Sequence, residues 1–240
     1  MRQTHLLEPQ YPTALKDLIN PPAVLYIDGS LAALDERPVL AVVGSRDCSI
    51  IAEAWMRRHL TEVSRFALIV SGGAVGVDDC AHRVALSAGE PTVVVLPSGL
   101  KNPYPTHWRD ANEEVRAKGG AFVSEYEPEQ MIRRSHFEKR NRLLAAFADV
   151  VLVVEAQSKS GTAITARHAQ ELGRAVAVVP WFPGDPRGEL GLELLTQSAA
   201  LPVRNAADLL SALSREACAR HTRSLRSTVP NSANQEDACN

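Results

Sequence analysis

Three short stretches of small residues carry the groups in this chain suited to handling phosphate. Gly44-Ser45-Arg46 combines a residue without a Cβ, a hydroxyl, and a guanidinium able to bind phosphate in bidentate fashion. Ser71-Gly72-Gly73-Ala74-Val75-Gly76 lets an anion approach the backbone closely, and Ser158-Lys159-Ser160-Gly161-Thr162 repeats that composition further along. A fourth stretch, Ile132 to Arg142, sets Arg133, Arg134, Lys139, Arg140 and Arg142 against the single acid Glu138, with Phe137 among them and Asn141 between the last two cations. It nets +4 where the chain as a whole nets −2, so positive charge is concentrated in one place. Such a cluster suits a single strand of nucleic acid, whose phosphates need cations and whose bases stack on a π-face.

Each stretch also has a plainer reading. Glycine after a strand serves ordinary turn chemistry. Arg46 by itself reads equally as a surface arginine, Thr162 as a helix cap, Phe137 as a core residue, and the basic run as a solvated helix start. Asp78 and Asp79 fall where a first helical turn favours acids, with capping the leading role for one of them.

The motifs of familiar chemistries are missing from the sequence. There is no G-x-x-x-x-G-K-[ST], and Gly72, Gly73 and Gly76 form G-G-x-x-G rather than a dinucleotide fingerprint. The next apolar run, Thr92–Leu96, ends in Pro97 without an acid for a ribose hydroxyl. Neither H-E-x-x-H nor G-x-S-x-G occurs, and the seven histidines are scattered. Cys48, Cys80, Cys218 and Cys239 form no C-x-x-C pair and have no histidine at ligand spacing. The expectation is a protein with no catalytic residues, no metal and no cofactor.

The elements that must position these loops follow from apolar runs. Val39–Val43, Leu68–Val70, Thr92–Leu96, Val150–Val154 and Ala175–Val179 lack polar alternation, as strands covered on both faces do. Helical patterns lie between them: Ile50–Arg65, with Ile51, Ala54, Trp55 and Leu60 as its buried stripe, then Asp78–Ala88, Thr106–Lys118 and Thr162–Leu172. Ala121–Ser124 adds a short strand. The alternation predicts an α/β fold, a Rossmann-like, doubly wound and mostly parallel sheet flanked by helices, over residues 38–213. Ligands of such sheets sit beyond the carboxyl ends of the strands, so the three loops form one phosphate-binding rim.

Residues 1–37 read as an extension packed on that core, with the strand-like Val24–Ile27. Residues 214–240 turn to Ser, Thr, Arg and Asn and are expected to stay unfolded. Of 240 residues, 45% are hydrophobic and 22% charged, which excludes collagen-like, coiled-coil and wholly disordered chains. With 26 basic against 28 acidic residues, any nucleic-acid site must be local. No apolar run has signal-peptide or membrane-spanning length, so the expected location is the cytoplasm, with no membrane partner.

These residues resemble the DprA/Smf family, the DNA-processing proteins of bacterial transformation. Val39–Arg46 looks like the family's first strand and Gly-Ser-Arg loop. The stretch SGGAVGVDDCAHRVAL, Ser71–Leu86, resembles its most recognisable segment, S-G-G-A-x-G-[IV]-D-x-x-A-H-x-x-A-L. Leu96–Pro105 ends in its Y-P, Ser124-Glu125-Tyr126 is similar to S-E-x-P, and Phe137–Ala146 to F-x-x-R-N-R-[IL]-[IL]-A. Val153–Ala166 resembles V-V-E-A-x-x-x-S-G-[ST]-x-x-T-A. The resemblance implies a non-enzymatic, homodimeric protein that binds single-stranded DNA and helps load RecA recombinase in natural transformation and recombination. It implies DNA contacts at Arg46, the Ser71–Gly76 loop, Lys139, Arg140, Asn141 and Arg142, with Phe137 as a stacking platform.

The chain also departs from that pattern. Val75 stands where the family usually has arginine, and Pro180-Trp181 where it has P-G. At this length the expectation is that the N-terminal helical module and the C-terminal winged helix of many members are absent. A competing reading is a nucleotide-processing enzyme like the phosphoribohydrolases, whose P-G-G-x-G-T-x-x-E signature puts a catalytic carboxylate three residues after the threonine. Thr165 occupies that position here. A third reading uses the same rim to sense a small nucleotide.

Overall fold

The computed structural model describes residues 1–228; the last part of the expected unfolded tail, 229–240, lies outside the described residues. Nine strands are described: β1 (Arg2–His5), β2 (Val24–Gly29), β3 (Val39–Val43), β4 (Leu68–Ser71), β5 (Thr92–Val95), β6 (Ala121–Ser124), β7 (Val150–Val153), β8 (Ala175–Val178) and β9 (Leu201–Pro202). The helices are α1 (Ala33–Glu36), α2 (Ile50–Phe66), α3 (Val77–Ser87), α4 (Asn112–Ala117), α5 (Arg134–Phe147), α6 (Gly161–Glu171), α7 (Glu189–Thr196) and α8 (Ala206–Thr228).

All nine strands join one sheet in the order β1-β2-β6-β5-β4-β3-β7-β8-β9. From β6 to β9 the pairs are parallel, while β1 and β2 are antiparallel additions at one edge. The chain winds outward from β3 in one direction through β4 and β5, then returns to place β7 and β8 on its other side. That reversal, between β3 and β7, is where the crossover helices part and a crevice opens.

Both faces of the sheet are covered, which explains the unbroken apolar runs. Leu40, Val42, Ile69, Val150 and Leu152 pack with α2, α3 and α8. Val39, Ala41, Val43, Val70, Val151 and Val153 pack on the opposite side with α5, α6 and α7. Residues 1–37 join this second layer: Tyr11 and Leu15 are fully buried, Tyr11 Oη donates to the Pro22 carbonyl at 2.8 Å, and Asp17 pairs with Arg174 at 2.6 Å.

Three sequence expectations are corrected. The buried stripe of α2 is Ala52, Met56, Leu60 and Val63, whereas Ile51 is 64% exposed and Ala54 faces solvent. The phase of the helix is set by the residue that caps it, Ser49, whose backbone N–H and hydroxyl both donate to buried Glu155 at 2.7 and 2.9 Å. Thr106–Lys118 is not one helix but a 3-10 turn, Thr106–Arg109, followed by α4. The expected unfolded tail from residue 214 instead continues α8 to Thr228. Leu209, Ala212 and Leu213 anchor that helix in the core, and Arg215, Glu216, Ala217 and Ala219, none of them fully buried, are good helix formers that extend it. No helix among the described residues is long and apolar enough to cross a membrane.

Candidate nucleic-acid interface

Parallel strands deliver the loops after β3, β4 and β7 to the same edge of the sheet, and a cavity of about 350 Å³ opens there. Gly44, Ser45 and Arg46 line one side, Ser160, Gly161 and Thr162 another, and Phe137, Arg140 and Asn141 of α5 a third. These nine come from three of the stretches singled out in the sequence.

The Gly44–Ser45–Arg46 loop is held from several directions. Ser45 donates its N–H to the Glu155 carbonyl at 2.8 Å and its carbonyl accepts from Val77 N–H at 3.0 Å. Gly76 has φ +88°, and a Cβ there would stand 2.4 Å from the Ser45 carbonyl oxygen, so only glycine lets the two loops meet. Glu155, 1% exposed and bonded to Ser49, fixes the loop's far end. Arg46 is left exposed and forms no ion pair with any described residue. Its guanidinium carbon lies 4.8 Å from the centroid of the Phe137 ring.

The loop before α6 is a cap as well as a rim. Ser160 Oγ accepts from Ala163 N–H at 3.4 Å, and Thr162 Oγ1 donates to the Gly44 carbonyl at 3.2 Å. Asn141 Nδ2 donates to the Gly161 carbonyl at 3.1 Å, tying α5 to the start of α6. The cavity therefore faces the first turn of α6, where N–H groups lack intrahelical acceptors and the helix dipole favours an anion.

Ser71, Gly72, Gly73 and Gly76 support the wall without lining the cavity. Ser71 Oγ donates to the Val42 carbonyl at 2.6 Å, and the Gly73 carbonyl accepts from Trp108 Nε1 at 2.7 Å. Gly72 makes room for the Arg140 side chain.

The basic segment divides. Arg140 is 4% exposed, and its Nη1 donates to the Val95 carbonyl at 3.1 Å. Burial pulls its pKa down, and the neighbouring Asp78 opposes that shift. Asp78 is buried in turn: burial pushes its carboxyl up to about 6, against the pull of Arg140 and the Ala74 N–H. Arg142 does not line the cavity; it is paired with Glu125, which follows β6. Lys139 is exposed but is likewise not a lining residue. The sequence offered no way to separate these roles, because the partners Asp78 and Glu125 are remote in the chain.

Sequence reasoning also missed Asp78 as a carboxylate in the cavity wall and Glu155 as the anchor of the Arg46 loop. The only signal for Asp78 was its place in a first helical turn. Among the described residues no group of three or more His, Cys, Asp or Glu side chains is placed to hold a metal ion.

Comparison with known proteins places this geometry in a family. Residues 3–214 match the family model described as DNA recombination-mediator protein A. DNA processing protein DprA of Bacillus subtilis is 33% identical over 191 residues, which are 79% of this chain and 64% of that protein. The chain thus spans about two thirds of that relative's length. The crystal structure of DNA processing protein A from Streptococcus pneumoniae superposes with a TM-score of 0.80 at 32% identity, covering 88% of this chain and 73% of that one. DNA processing protein A of Helicobacter pylori, a structure described for its single-stranded DNA binding mode, gives 0.78 at 30% identity, covering 90% of this chain and 97% of that one. The chain belongs to the DNA recombination-mediator protein A family.

Proposed function

We propose that this protein binds single-stranded DNA at the carboxyl edge of its sheet, with a phosphate seated at the first turn of α6 and Arg46 at the mouth of the cavity. One observation carries the reading: Arg46 is an exposed, unpaired cation lying against an aromatic ring beside a cavity that the first turn of α6 lines. Cation, ring and free N–H groups are the parts a sequence-tolerant single-strand site combines. The Helicobacter pylori relative, described for that binding mode, supports it.

The same reading makes the protein a non-enzymatic mediator that works in the cytoplasm as a homodimer and passes its strand to RecA recombinase. These expectations come from the resemblance drawn in the sequence, and the matching family's description as a recombination mediator supports the coarser part of them. A nucleotide-processing activity is the alternative, and Asp78 is the observation in its favour, a carboxylate in the cavity wall. That carboxylate is buried and opposed by Arg140, while Thr165 Oγ1, at the position of the enzymes' acid, donates to the Gly161 carbonyl at 3.4 Å.

An anisotropy titration with a single-stranded oligonucleotide, run beside a nucleoside-monophosphate hydrolysis assay, tests the reading. The expected result is binding that weakens steeply with salt and no release of base. Hydrolysis without strand binding overturns it.

A further inference from the structure

We propose that Tyr104 is a stacking platform for an unpaired base, the outer member of a row Arg46–Phe137–Tyr104 that leads from the cavity mouth toward solvent. This rests on the single-strand reading above and names the side chain that receives a base.

The sequence points to Phe137 as the platform, yet that ring is half-buried and already engaged. The Arg46 guanidinium lies over it at 4.8 Å, and the Tyr104 ring meets it edge to face, 5.8 Å between centroids at 85°. Tyr104 is 41% exposed, so the row presents its free aromatic surface there. Two other aromatic rings are exposed, and neither belongs to this row. Phe66 lies at the amino-terminal end of β4, away from the cavity, and Phe182 makes no ring contact among the described residues.

The loop that carries Tyr104 is fixed at both ends. Lys101 N–H donates to the Pro128 carbonyl at 2.9 Å and Asn102 Nδ2 to the Glu129 carbonyl at 2.8 Å. Four residues after Tyr104, Trp108 is buried and bonded to the Gly73 carbonyl. A ring on a fixed loop loses little conformational freedom when a base covers it, so most of the stacking energy reaches affinity. Arg46 holds a phosphate at one end of the row while Tyr104 takes a base at the other. A duplex, whose bases are already stacked, has no face to offer.

The test measures binding of an oligonucleotide carrying 2-aminopurine, by anisotropy and by base fluorescence, across a salt series. Tyr104→Leu is expected to raise Kd by about 5- to 100-fold and to lose the fluorescence quenching. The slope of log K against log salt stays unchanged, because no charge is removed. Tyr104→Phe is expected to restore wild-type behaviour. Since truncation also disturbs a loop, a second arm uses the wild-type chain: a 5-iodouracil oligonucleotide irradiated in the complex crosslinks to Tyr104, mapped by mass spectrometry. A Tyr104→Leu protein that binds and quenches like wild type, or a crosslink that maps elsewhere, overturns the platform while leaving strand binding intact. A wild-type chain that binds no strand at any salt overturns both.

Discussion

Gly72 and Arg140 share one space: a Cβ on Gly72 would stand 1.4 Å from Arg140 Nη1. The guanidinium lies against the loop after β4, where it meets the Val95 carbonyl and its charge pulls the Asp78 pKa down against the push of burial. Gly72→Ala forces the fork off those partners. It is expected to destabilise the fold by about 1–3 kcal/mol, as over-packing of a filled interior does. Arg140→Met removes the hydrogen bond to the Val95 carbonyl and the charge that opposes the rise of the Asp78 pKa, and is expected to destabilise by about 1–3 kcal/mol as well. Combining it with Asp78→Asn recovers part of that loss. Urea unfolding of the single and double variants checks both; additive losses refute the pairing.

The arginines of α5 and of the first loop are expected to behave differently in DNA binding. Arg46→Ala removes a free cation, so affinity falls and the slope of log K against log salt decreases by about 0.7. Arg142→Ala breaks the pair with Glu125 and lowers the unfolding midpoint instead, with the salt slope unchanged. Anisotropy titrations at several salt concentrations, with thermal melts alongside, distinguish the two. Equal losses of slope refute the division.

Val75 is 50% exposed on the loop that packs against Ser45 and Arg46 through Gly76. Val75→Arg is expected to add one phosphate contact beside Arg46 and to steepen the salt dependence by about 0.7. The measurement is the same titration, with a neutral Val75→Gln control. A variant with no steeper slope than the control shows that this side of the rim does not meet the strand.

Acid sensitivity is expected to trace to His82. Its ring is fully buried, with Nδ1 2.7 Å from Thr92 Oγ1, and burial pushes its pKa down to about 3 from 6.5. The unfolded chain takes up a proton near 6.5 that the folded chain refuses, so stability present above 6.5 is lost as the pH falls toward about 3. Asp78 acts oppositely: its raised pKa makes the folded state the better proton binder between 3.8 and about 6. His82→Gln keeps a partner for Thr92 and removes the first contribution. Its unfolding midpoint is expected to fall less between pH 7 and 4 than that of the wild type, both settings being on the order of the window where histidine titrates. Parallel curves refute the assignment.

The cavity's position was readable from the chain itself. Runs such as Val39–Val43 and Val150–Val153 lack polar alternation because both faces are covered, and parallel winding then sends Gly44–Arg46 and Ser160–Thr162 to one edge. The expected α2 stripe fails at Ile51 and Ala54, which are apolar yet lie outside the packed face, Ile51 being 64% exposed. Their placement depends on Glu155, more than a hundred residues away, holding Ser49.

The sequence by itself determined the strand order's alternation with helices, the small-residue loops and the charge on α5, because each is a property of neighbouring residues. Only the tertiary structure decided which cations are free. Whether an arginine can meet a phosphate depends on what else it meets, and the partners come from other elements: Asp78 of α3 for Arg140, and Glu125 after β6 for Arg142. Arg46 has no such partner among the described residues and is left for a ligand.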